Sequence, residues 1–269
     1  MKKVFLMLLG VIFVAGSASA MPISLDPDAV LGTTFGKTGV FDQLGTNIET
    51  VSKDYGDDTF TDVGNFAVSS LIELGSATPV SDDAGLNDDW YLIGGWSALA
   101  GTTTELVAPD ALTRYTYTSG TLDLYATTDL NAPGVKVASL KLSKGFGMLD
   151  LLSVPDYDNP ETPVLEGATG YYNLTWEFTY IAPEGFWLDE NGDALSLADI
   201  QQNGGFLMAL AIGDTSDVII VPGADYTTIY STHNGSVTVG VVPEPATMAL
   251  FGTGLLGLAG AGLRKKKRA

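Results

Sequence analysis

Four oxygen-bearing side chains sit close together at Asp189, Asn191, Asp193 and Asp199. Asp, Asn and Asp at alternate positions can turn their oxygens toward one point. Calcium, a hard cation, is held by about six to eight such oxygens. Calcium loops of this pattern place a glycine sixth, for the sharp turn, and close with an acid at the end. Here Gly192 comes fourth, Ala194 holds the sixth place, and Asp199 arrives one position early. The same residues also spell a turn and a capped helix. Asn191-Gly192 would make the turn, and Ser196 with Asp199 would make the cap and its reciprocal acid. Both readings stay open. The first takes calcium and the second needs no cofactor.

Other candidates are weaker in spacing. Trp187 stands beside this acidic turn, where an exposed indole could stack on a sugar ring. Acidic knots at Asp54, Asp57, Asp58 and Asp62, and at Asp82, Asp83, Asp88 and Asp89, could hold a cation or simply be solvated. His233 is the single histidine, so a site needing three is excluded. It precedes Asn234-Gly235, a strong hairpin signal, and a hairpin tip asks no chemistry of it. No Gly-x-Ser-x-Gly elbow is present, because Gly95-Trp96-Ser97-Ala98-Leu99 fails at its last place. A pair of facing carboxylates cannot be picked out by spacing. No catalytic residue is assigned.

The elements that would carry these residues are strands. Leu122, Leu124 and Ala126 alternate with Asp123, Tyr125 and Thr127, giving one apolar and one polar face. Strand-rich runs recur from Phe60 to Leu74, Trp90 to Leu106, Val135 to Leu142, Tyr171 to Ile181, Phe206 to Ile212 and Val218 to Val221. Thr227–Ser231 and Ser236–Val242 then flank Asn234-Gly235. Residues 21–59 read as loops with one or two short strands. Lys144 to Thr169, with Pro155, Pro160 and Pro163, reads as a long exposed loop, and Ser196 to Gln202 as a short helix. Turn signals about every ten residues, with no strand–helix alternation, predict an all-β domain, an antiparallel β-sandwich or jelly roll.

Composition sets the setting. Lys2 and Lys3, the apolar run Val4–Gly16 and Ala18-Ser19-Ala20 spell a signal peptide over residues 1–20. The domain between the two ends, residues 21–242, carries 31 acidic and six basic residues. Such a body repels nucleic acid and anionic lipid and attracts cations. There is no cysteine, so no disulfide or thiol chemistry is available.

The C-terminus is in three parts. Pro243, Glu244 and Pro245 form a short motif. Ala246 to Leu263 is an uncharged run of 18 residues, about 27 Å as a helix, enough to cross the hydrocarbon core once. Arg264 to Arg268 then give five positive charges, which stay cytoplasmic. Residues 243–269 resemble the PEP-CTERM sorting signal, a tail type also described as an ice-binding protein C-terminal domain, a label that implies nothing about ice. The resemblance implies an exosortase as partner in an exopolysaccharide-producing Gram-negative bacterium. It also implies a precursor held in the inner membrane by the C-terminal helix, then delivered to the cell surface or extracellular matrix. Leu25-Asp26-Pro27-Asp28 and Ser119-Gly120-Thr121-Leu122-Asp123-Leu124-Tyr125 resemble segments of the flocculation-associated PEP-CTERM group. The expectation is a non-catalytic surface or matrix protein, structural or adhesive in exopolysaccharide, biofilm or floc, with exopolysaccharide as a candidate partner. A calcium-dependent carbohydrate-binding module and a polysaccharide-active enzyme are the alternatives.

Overall fold

A computed structural model describes residues 21–240 apart from 74–75, 77, 108–111, 156–162, 184, 204 and 213–217. The expected signal peptide, the Pro243–Pro245 motif and the span at Ala246–Leu263 lie outside the described residues. The elements run β1 (Ile23–Leu25), α1 (Asp28–Leu31), β2 (Phe41–Asp54), β3 (Thr59–Glu73), β4 (Tyr91–Val107), β5 (Leu112–Ser119), β6 (Thr121–Thr127), β7 (Val135–Pro155) and β8 (Pro163–Ile181). After them come β9 (Trp187–Asp189), α2 (Leu197–Asn203), β10 (Gly205–Ile212), β11 (Val218–Pro222) and β12 (Thr227–Gly240).

These strands form one sheet that closes on itself. β5 and β6 lie end to end between β4 and β7, so together they act as one broken stave. β10 and β11 likewise lie end to end along β12. The ring runs β2, β3, β4, β5/β6, β7, β8, β10/β11, β12, and β12 returns to β2 over the register Thr227↔Asp54 to Thr238↔Gln43. Antiparallel neighbours in space are therefore neighbours in sequence, apart from the closing pair. This is an up-and-down barrel, which removes the free edges that an open sheet would leave for aggregation.

The all-β reading holds, but the two-sheet sandwich or jelly roll is corrected to this closed sheet. Three local readings change with it. Residues 41–54 make a full strand, with Phe41, Leu44, Thr46, Ile48 and Thr50 buried between exposed or half-buried neighbours. Inward threonines and a bulge between Gly45 and Thr46 blur that alternation in the sequence. The loop expected at Lys144–Thr169 is a long ribbon, because β7 and β8 pair out to Pro155↔Pro163. Asn234-Gly235 is not a hairpin. It sits inside β12, paired to Asn47 and Thr46 on one side and to Ala211 and Leu210 on the other.

Apolar side chains fill the barrel. Leu122, Leu124 and Ala126 point inward as their alternation predicts, and Trp90, Trp176, Phe41 and Phe178 are fully buried with them. One end is closed by β1, β9 and α2. Asp26 N–H donates to the Phe186 carbonyl at 2.9 Å, and Gln201 Nε2 donates to the Phe178 carbonyl at 2.7 Å. The Asp-Pro-Asp segment serves this cap. Asp28 accepts hydrogen bonds from Thr33 Oγ1, Phe35 N–H and Gly36 N–H at 2.7–2.9 Å, folding the following loop back on α1.

Candidate functional site

The acidic turn at Asp189 is organised around its own backbone. Asp189 Oδ1 accepts from Asn191 N–H and Asp193 N–H, both at 2.9 Å, and Asn191 Nδ2 reaches Oδ2 at 3.3 Å. The Asp193 N–H bond, helped by those from Asn191 and Gly192 and opposed by some desolvation, holds this carboxyl below the usual range. Asp199 makes the reciprocal cap. Its Oδ2 accepts from Ser196 N–H at 2.9 Å and from Ser196 Oγ at 2.5 Å, while Asp199 N–H donates to Ser196 Oγ at 3.2 Å. Among the described residues no three His, Asp or Glu side chains gather as a metal ion would need. Calcium against sodium at matched ionic strength separates the two readings: a larger rise in melting temperature in calcium that Asp189→Ala removes assigns a cation to this turn, and equal rises leave it a turn and a cap.

The other acidic knots do the same kind of work. Asp54 takes Gly56 N–H, Asp57 takes Thr59 N–H, Asp82 takes Ala84 N–H and Asp83 takes Gly85 N–H, at 2.9–3.1 Å. Each carboxylate stands in for a backbone carbonyl and turns its own loop. Trp187 is corrected too. It is buried, not exposed for sugar stacking: its Nε1 donates to the Val137 carbonyl at 2.9 Å, and its ring packs edge-to-face on Phe178 and Phe186. Trp90, Trp96 and Trp176 are buried as well.

What the sequence did not reveal lies inside the barrel, in the half away from the cap. A cavity of about 20 Å³, room for one water, is walled by Thr50 and Ser52 of β2, Asp62 of β3, Trp96 of β4 and Tyr115 and Tyr117 of β5. Tyr172 of β8 and Ser231 and His233 of β12 complete its polar lining. The barrel register explains the gathering: Ser52 faces Asp62, and Thr50 faces Ser231, across adjacent strands. Asp62 is 4% exposed. It accepts from Ser52 Oγ at 2.5 Å and from the Trp96 indole N–H. Burial pushes its carboxyl up to about 6, against the pull of both donors. His233 is equally buried, and burial pushes it down to about 4, so it is neutral over most of the accessible pH range. Its Nε2 lies 2.9 Å from Ser231 Oγ and 3.1 Å from Thr50 Oγ1, while Nδ1 has no hydrogen-bond partner among the described residues.

This constellation differs from a hydrolytic triad in a definite way. There the serine bonds one imidazole nitrogen and a carboxylate bonds the other. Here two hydroxyls share Nε2, and Asp62 spends its oxygens on Ser52 and Trp96. The cavity does gather aromatic rings and a carboxylate, but at about 20 Å³ it has no room for a sugar. An open hollow of about 390 Å³ is lined by Asn47, Glu49, Asn65 and Thr232 together with Ile48, Phe66, Ala67, Ile93 and Gly94, and carries no Trp or Tyr.

Residues 241–267 match the PEP-CTERM protein-sorting motif. No curated protein matches the chain. The motif bears out the resemblance read from Pro243, Glu244 and Pro245. It marks an exported protein with an exosortase as its processing partner, sorted to the bacterial cell surface.

Proposed function

We propose that this is a non-catalytic exported protein, cut by an exosortase and left at the cell surface or in the extracellular matrix of a Gram-negative bacterium. There it is a structural or adhesive element of exopolysaccharide, biofilm or floc. The observation that carries this reading is the sorting motif at residues 241–267, following a barrel whose interior is filled by its own side chains. The pattern of burial supports it. Chemistry-bearing groups point inward at Asp62 and His233, where a substrate has no room. The Asp-Pro-Asp opening keeps the flocculation-associated group as the narrower form of this proposal.

Sorting is tested in the producing cell. With Pro243 and Pro245 both changed to Ala, or Arg264 to Arg268 neutralised, the barrel should stay with the membrane fraction at precursor mass. Unchanged distribution and unchanged mass in both variants would remove the sorting reading.

A further inference from the structure

We propose that the outer face of β11, β12, β2 and β3 is a self-association surface, whose partner is a second copy of this barrel. The inference stands apart from the sorting reading. Large exposed apolar side chains lie on this face at Val63, Ile219, Val221 and Tyr230, and on β7 and β8 at Val135, Phe146, Tyr171 and Tyr180, but only on this face do they line up across four strands. Ile219 pairs with Tyr230, Tyr230 with Val51 and Val51 with Val63 across four adjacent strands, giving an unbroken row. Ile219 is 60% exposed, Tyr230 45% and Val63 44%. An apolar row of this kind on an exported barrel marks a contact surface.

The charges beside the row indicate what covers it. Along β2 the outward residues read Glu49, Val51, Lys53. A two-fold axis lying along the row keeps Val51 and Tyr230 near their own counterparts. It also sets Lys53 of each copy opposite Glu49 of the other, so the face is complementary to itself, as a two-fold interface requires. The whole body opposes the contact, since each barrel brings 31 acidic residues against six basic ones. That repulsion acts over about 10 Å at 0.1 M salt and about 3 Å at 1 M. Apolar contact is not screened. Association is therefore gated by ionic strength: the barrels stay apart in dilute salt and pair in concentrated salt.

Residues 20–240 form a compact unit containing the whole described core, so the barrel can be studied without its two ends. Sedimentation velocity of this segment at about 0.1 M and about 1 M sodium chloride should show monomer, then dimer. Tyr230→Asp should weaken the dimer roughly thirtyfold, as loss of a central aromatic anchor does. Tyr171→Asp, at an exposed tyrosine on β8, should leave it intact. A barrel that stays monomeric at both salts overturns the proposal, as does a dimer that Tyr230→Asp leaves unchanged. Retention on dextran that depends on Tyr230, in a barrel that remains monomeric, would assign the face to a neutral glycan and equally overturn it.

Discussion

Between pH 7 and pH 4, Asp62→Asn should lose about 2–3 kcal/mol more folding stability than the unsubstituted barrel does. The reason is that two buried groups titrate in opposite senses. His233 is held at about 4, below its ordinary 6.5. Its contribution is fully present above pH 6.5 and is lost as pH falls through 4, because the unfolded chain takes up the proton first. Asp62 is raised from 3.8 to about 6. Its ionised form is the costly one inside the barrel, so stability is highest below pH 3.8 and declines as pH rises through 6. At about 1.4 kcal/mol per pH unit, each shift is worth about 3 kcal/mol, and the two nearly cancel from pH 6 to 4. Removing one exposes the other. Relative to the unsubstituted barrel, His233→Gln should therefore gain stability on acidification while Asp62→Asn loses it, and the double variant should run parallel to the unsubstituted barrel. The surface carboxylates act alike in all four proteins, so differences between urea midpoints isolate the pair. Parallel profiles in both single variants would show that these two groups do not titrate in the folded barrel as their burial requires.

Gly64→Ala should cost about 3–5 kcal/mol, enough to threaten a fold of ordinary stability. Gly64 faces Trp96 across β3 and β4, and a Cβ there would stand 2.4 Å from Trp96 Cζ2. The indole cannot simply swing aside. Its N–H is bonded to Asp62, and its ring leans on Phe66 and Trp176 at centroid separations of 6.4 and 6.5 Å. Relief of the clash therefore breaks the Trp96–Asp62 hydrogen bond and leaves a buried carboxyl short of a donor. Gly56→Ala is the comparison, since a Cβ there meets nothing within 4 Å and the residue pays only for its φ of +70°. Equal urea midpoints for the two variants would mean that the wall behind Trp96 is looser than this packing.

Local patterns were well written in the chain, and closure was not. The alternation of Leu122, Leu124 and Ala126 predicted the inward face of β6, and Ser196 with Asp199 predicted the cap of α2. Acids followed two residues on by Gly or Thr, as at Asp54 and Asp57, are loop turns for a reason visible in their spacing. Asn234-Gly235 misled because turn propensity is local, whereas β12 is held open by ladders to β2 and β10 on both sides. That one misreading hid the interior site. With a hairpin at Asn234, His233 is a surface tip; with a continuous strand, it is an inward residue beside Ser231. Nothing in the spacing of Thr50, Asp62 and His233 could bring them together, because their meeting depends on the last strand closing against the first long one. Trp187 misled for a related reason: nearness in sequence to an exposed turn says little about which side of a strand an indole takes.

The intact mass of the protein recovered from outside the cell tests the proposed function most directly. The account predicts a chain beginning at Met21 and ending near Pro243–Pro245, free of the apolar run and of Arg264 to Arg268. An exported protein that still carries residues 246–269 would contradict it, because the tail would then be a permanent anchor and not a sorting signal.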